Sequence, residues 1–280
     1  MKPDRATPSV AAAPVPALGA ADFLADACPG VAEPPCECRF KALERSFSFG
    51  EQALTRKLFD DTEAEAACAS APAFAGLKAE ALARAQKPEA TGAIAQALAN
   101  NPSDAHAVFA EGYQKLFAGD LKASHELLSK SVQLGRGAAA NTMLGILALR
   151  EDDTKTAKAA FESAIAKSAE EVDAMFNLGT LEMGQGIYNR PRALFLKVLK
   201  LRPDHLDARF ALATLTFRAG VFPEARRHQA LLEASAPTGD DRVLKLRELM
   251  QMSAPAASSS KNADPVELRV RKGATAGARK

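Results

Sequence analysis

A repeat of about 34 residues dominates this chain and limits what it can fold into. Leu144-Gly145, Leu178-Gly179 and Leu212-Ala213 recur at steps of 34, and Gly112 precedes Gly145 by 33. Seven residues after each of these small residues stands a turn former: Gly119, Asp152, Gly186 and Gly220 in order. The second half of each unit carries small and large apolar residues at helical spacing, such as Ala157, Phe161 and Ala164, or Phe195 and Val198. Each unit therefore reads as helix, turn, helix. One such hairpin cannot bury its own apolar face, so neighbouring units must stack. Composition agrees with an all-α body: sixty of the 280 residues are alanine, the best helix former and small enough to let two helices approach closely.

The residues at these positions resemble those of the tetratricopeptide repeat family, a 34-residue helical hairpin with small residues where its two helices touch and large ones filling the gaps. One unit matches with Met175, Leu178, Gly179, Phe195 and Pro203, and the unit before it with Leu144, Gly145, Ala157, Phe161 and Ala164. The register places units at 105–137, 138–171, 172–205 and 206–239. Phe74, Leu77, Ala81, Ala90, Ile94, Ala97 and Pro102 extend it back to a unit at 71–104. Lys78, Glu111, Pro191 and Arg209 depart from the pattern. Pro88 and Pro223 both fall where a second helix should begin, a place where proline is tolerated. The expected fold is an α-solenoid of about five such hairpins, with N-terminal helices before them and a capping helix over 240–253.

The resemblance implies that the first helix of every unit lines a concave groove. The residues selected are His106, Phe109, Tyr113 and Leu116, then Thr142, Ile146 and Leu149, then Phe176, Thr180 and Met183, then Phe210, Thr214 and Phe217. This apolar set suits a helical or extended apolar segment of a protein partner. The family's carboxylate-gripping variant needs lysines that do not accompany Asn141 and Asn177, so that mode is not supported.

The ends of the chain read differently. Residues 1–35 form an Ala/Pro-rich segment expected to be disordered. The alternative is a secretory signal with Lys2 and Arg5 as its basic region, which Pro8, Pro14 and Pro16 interrupt. Residues 36–70 contain Phe40, Leu43, Phe47, Leu54 and Leu58 at three- and four-residue spacing, and so read as one or two amphipathic helices capping the first repeat. A helix running from about Arg39 to Phe59 would bend only at Ser48-Phe49-Gly50. The tail over 254–280 carries net +4 and is expected to be a basic disordered segment.

All four cysteines, Cys28, Cys36, Cys38 and Cys68, lie in the first quarter of the chain. Two disulfides or four buried thiols both fit, and the choice decides compartment: oxidising and periplasmic or secreted, or reducing and cytoplasmic. The C-x-C spacing lacks the pairing of a zinc site. His106, His125, His205 and His228 share no face, and no nucleophile, phosphate-loop or zinc-protease motif occurs. The acid pairs Asp60-Asp61, Asp152-Asp153 and Asp240-Asp241 are expected at turns, capping the helices that follow. No catalytic site, metal or cofactor is expected. A net charge of +2 does not mark a nucleic-acid binder, and no run of about 18 apolar residues suggests a membrane span. The expected function is a protein-interaction scaffold in complex assembly. The alternative is a cell-envelope assembly factor for pilus or outer-membrane components.

Overall fold

The computed structural model describes residues 19–252, which form fifteen helices and, among the described residues, no strand. Ten of them make five antiparallel hairpins in sequence: α5 (Pro72–Arg84) with α6 (Ala90–Asn100), α7 (Ala105–Ala118) with α8 (Leu121–Gln133), and α9 (Gly137–Arg150) with α10 (Thr154–Lys167). The last two are α11 (Val172–Gly184) with α12 (Asn189–Leu201), and α13 (Leu206–Arg218) with α14 (Phe222–Ser235). Each first helix packs on its own second helix and on the first helix of the next hairpin. The result is a helical solenoid.

Small residues set the closeness of each hairpin. A Cβ on Gly145 would stand 2.5 Å from the Phe161 ring, and one on Gly179 would stand 2.7 Å from Phe195. Ala90, Ala97, Ala157, Ala164, Ala213 and Ala225 are all buried at helix contacts. Every hairpin turn closes through one residue at positive φ: Gln86, Gly119, Asp152, Gly186 and Gly220. Glycine takes this left-handed conformation without a Cβ penalty, which explains its use at three of the five turns. Prolines fall where helices begin, Pro72 and Pro223 within the first turns of α5 and α14, and Pro88 just ahead of α6.

Asp153 caps α10 by accepting the Thr156 amide at 2.9 Å, and Asp240 accepts that of Arg242 at 2.9 Å ahead of α15 (Asp241–Met252). Asp60 and Asp61 correct the expectation of a turn. They lie within α3 (Gln52–Glu63), four residues after Arg56 and Lys57, with which they pair on an exposed face. Helix α15 covers the open side of the last hairpin, packing on α13 and α14 with Leu246 fully buried.

The N-terminal region differs from its expectation in two ways. The segment read as disordered over 1–35 contains α1 (Ala20–Ala27), because Phe23 is fully buried against Phe49 and supplies the anchoring apolar surface. The helices α2 (Cys36–Phe49), α3 and α4 (Ala66–Ala69) do not merely cap the first hairpin. Helix α2 packs against α5, α9 and α11, lying across the inner face formed by first helices. Gly50, at φ 65°, turns the chain between α2 and α3, so the single long helix does not form. The basic tail over 254–280 and residues 1–18 of the Ala/Pro-rich segment lie outside the described residues.

Candidate functional site

The inner face of the solenoid is the candidate site, and its own N-terminal helices occupy part of it. Phe47 near the end of α2 is the principal anchor. The guanidinium carbons of Arg84 and Arg136 lie 5.2 and 5.5 Å from its ring centroid, and the same two groups lie 4.9 and 5.8 Å from Phe109 on α7. Two cations are thus layered between an aromatic ring of the N-terminal region and one of the repeats, a favourable contact when desolvated.

Their charge is met by Glu80, which is fully buried on α5. Its carboxylate accepts from Arg84 Nε at 2.8 Å and from Arg136 Nη2 and Nε at 2.8 and 3.0 Å, and its Oε2 lies 2.6 Å from His106 Nδ1. Burial alone would raise the Glu80 pKa, but Arg136, Arg84 and His106 together hold it well below the ordinary carboxylate range. Glu171, also buried nearby, accepts from Thr142 and is pushed upward by desolvation.

Three further contacts fix α2 along the groove. Arg45 donates two hydrogen bonds of 2.8 Å to Glu170, ahead of α11, and a third of 2.7 Å to Asp26, and these partners raise its pKa. Arg202, just after α12, donates to the Gly50 carbonyl at 3.0 Å. Gly50 approaches α11 so closely that a Cβ there would stand 2.9 Å from Asp173 Oδ1. From α5 to α12, then, α2 touches four hairpins.

Two disulfides tie this region together: Cys28 to Cys38, with Cα atoms 5.8 Å apart, and Cys36 to Cys68, 5.1 Å apart. Both converge on the first turn of α2, joining it to α1 on one side and to α4 on the other. The opposite end of the helix carries Phe47 into the groove, while Phe49 packs against Phe23 of α1.

What remains of the groove is a cleft of about 630 Å³ between α3 and the first helices α5, α7 and α9. Phe59 of α3, Leu82 of α5, Tyr113 and Phe117 of α7, and Met143 and Ile146 of α9 supply its apolar lining. Tyr113 and Phe117 sit with ring centroids 4.6 Å apart, and Phe117 is half exposed beneath the Arg150 guanidinium. Arg56, Asp60, Lys87 and Glu89 bring charges of both signs to its border. Burial raises the Tyr113 pKa, keeping its hydroxyl neutral.

Of the residues selected from the repeat pattern, Tyr113 and Ile146 line this cleft. Phe109 does not: with Leu116 it is fully buried, covered by the two arginines and Phe47. Phe176 packs against Phe195 and His205, Thr180 one turn later on the same helix is exposed, and Phe217 packs edge-on against Phe222. Phe210 joins the apolar cluster beneath α15. These four stand apart from the cleft. Asn141 and Asn177 donate to carbonyls of their own helices, those of Gly137 and Asp173. Phe117, Met143 and Phe59 were not selected. The spacing of Phe109, Tyr113 and Phe117 by four residues was a signal for Phe117, but nothing in the repeat pattern places α3 in the groove.

No group of three or more metal-ligating side chains is present among the described residues, and no described helix is long and apolar enough to cross a membrane. A family profile described as tetratricopeptide repeat matches residues 142–190. No curated protein sequence matches the chain. Among similar solved structures are PilF of Pseudomonas aeruginosa, at 17% identity over 64% of this chain and 86% of that one with a TM-score of 0.54, and PilW, described as a type IV pilus biogenesis factor, at 18% identity over 67% and 95% with a TM-score of 0.51. At these identities the likeness is one of fold.

Proposed function

Because the chain is a tetratricopeptide repeat protein, we propose that it is a non-enzymatic scaffold that binds a short apolar segment of a partner protein in the cleft between α3 and the inner faces of α5, α7 and α9. The observation that carries this reading is the exposure of Phe117 beside Tyr113 in a concave, aromatic-lined space. Such a space suits an apolar helix or an extended strand whose polar flanks meet the mixed charges at its border. The N-terminal helices then serve as one wall of the binding site rather than as an end cap.

A photo-crosslinking residue at Phe117 in the full chain, expressed in its native cell, tests this. The expected result is a discrete protein adduct from position 117 and none from Thr180, which is exposed outside the cleft. Adducts from 180 with none from 117 would overturn the assignment.

A second reading places this scaffold in the cell envelope, in assembly of pilus or outer-membrane components, and is supported by the two disulfides, since such bonds persist in oxidising compartments. PilW, which shares the fold, is described as a pilus biogenesis factor. Alkylation of protein taken directly from cells tests the compartment. No free thiols are expected; four free thiols would return the scaffold to the cytoplasm.

A further inference from the structure

The turns joining α11 to α12 and α13 to α14 present apolar side chains to solvent. Ile187 is 38% exposed, Tyr188 43%, Val221 44% and Phe222 45%. The two pairs stand one repeat of 34 residues apart and so recur at the same place in successive hairpins. At the matching turns of the two preceding hairpins stand Asp120 and Asp153, whose carboxylates accept the amides of Ala123 and Thr156 and cap α8 and α10. Helices α12 and α14 have no side-chain cap. A capped start is the more stable choice, and an exposed Ile or Val returns nothing to the core. The exchange of cap for apolar tip is therefore made for the surface.

The two turns are held side by side. Arg192 of α12 grips both carboxylate oxygens of Glu224, in the first turn of α14, at 2.9 and 3.0 Å. Phe217 packs on Phe222 with centroids 5.4 Å apart, bracing the second tip. Behind the tips α12 carries four cations. Arg190 is paired with Glu162 and Glu182 and Arg192 with Glu224, while Lys197 and Lys200 stand exposed. Exposed Arg218 and Arg226 lie within one helical turn of Val221 and Phe222. Along α12, Tyr188, Arg192, Leu196 and Lys200 recur every fourth residue on one face, with Leu196 also exposed.

The shape of this edge selects its partner. The inner cleft and the cavity beside Arg45 and Glu170 do not include these tips. A peptide gains from enclosure in a groove, whereas a bilayer accepts protruding apolar tips and sets cations at the level of its headgroups. We propose that this edge docks on an anionic lipid surface, with Ile187, Tyr188, Val221 and Phe222 entering the interface and Arg218 and Arg226, close to the tips in sequence, facing the phosphates. The surface is distinct from the cleft and does not depend on it.

The chain has no tryptophan, so Phe222→Trp in the full chain is a single reporter. Its emission is expected to shift to the blue with vesicles of phosphatidylcholine containing phosphatidylglycerol, not with phosphatidylcholine alone, and to return in high salt. Combining Ile187→Asp with Val221→Asp, both at exposed positions, should weaken this binding by about tenfold or more. Phe117→Trp, in the cleft, should show no shift. The proposal is overturned by any of three results: no shift with either vesicle; vesicle binding through the basic tail that leaves the emission of the Phe222→Trp protein and the binding of the aspartate variant unaffected; or a shift produced by protein concentration alone, which would make the edge a contact between copies.

Discussion

The two halves of this molecule hold together by different means. From α5 to α14, order is repetitive and local: each hairpin closes through a small residue facing a large one, as Gly145 faces Phe161, and every element touches its sequence neighbours. The region from α1 to α4 has no repeat, contains every cysteine, and reaches distant parts of the chain through a few polar and aromatic anchors, such as Arg45 on Glu170 and Phe47 on Arg84 and Arg136. The repeats can lose one contact and keep their neighbours. The N-terminal region depends on a handful of contacts that form only once the repeats are assembled.

That contrast makes Phe47→Ala the substitution of largest expected effect. Removing a buried phenylalanine costs about 3–5 kcal/mol, and here it also uncovers one side of two arginines, leaving them only the Phe109 ring. Hydrogen exchange should rise through α2 and α3 while α9, α10 and α12 to α14 keep their protection. Uniform loss of protection across all hairpins would mean that the two regions form one cooperative unit.

Replacing both Cys36 and Cys68 by serine should cost up to about 4 kcal/mol, since the bridge joins residues 32 apart in sequence. The effect is expected in α1, α2 and α4 alone, read as new protease cleavage near Ala64 to Ser70 with the repeats left intact. Cleavage within the repeats would show that they need the bridged region to stay folded.

A smaller effect separates the regions by pH. His228, buried on α14, is lowered to about 4 by desolvation, against which Glu224 only partly compensates, while Arg209 lowers it further. The folded state keeps His228 neutral while the unfolded chain takes up a proton near pH 6.5, so this contribution is lost as pH falls from about 6.5 to 4. The loss, about 3 kcal/mol by pH 4, should be confined to α13 to α15 and abolished in His228→Gln. Over that range Glu80 stays ionised, held well below the ordinary carboxylate range by Arg136, Arg84 and His106. Loosening of α2 in the same window would contradict that electrostatic account.

The repeat half was legible because its information is periodic. Gly112, Gly145, Gly179 and Ala213 announce the helix contact, and Gly119, Asp152, Gly186 and Gly220 announce the turn, each at positive φ in the structure. The placement of α2 was not legible. Phe47 and Arg45 look like any apolar and charged pair on an amphipathic helix, and their partners Arg136 and Glu170 lie about a hundred residues away with no motif to link them. The same blindness affected Phe109, which the repeat pattern assigns to an open groove and which the chain itself covers. Of the apolar side chains that line the candidate cleft, those selected from the repeat pattern are Tyr113 and Ile146; Leu82, Phe117 and Met143 belong to the repeats but stand outside that selection, and Phe59 lies outside the repeats.

The central claim is that the N-terminal helices lie across the inner face of the repeats through Phe47. Nuclear Overhauser contacts from a selectively labelled Phe47 ring test it most directly, because the His106 ring lies 6.4 Å away between centroids and the Arg84 and Arg136 guanidiniums lie closer. The account predicts cross-peaks from Phe47 to His106 and to the side chains of both arginines. Cross-peaks confined to α1, α3 and α4, with none reaching α7 or Arg136, would contradict it.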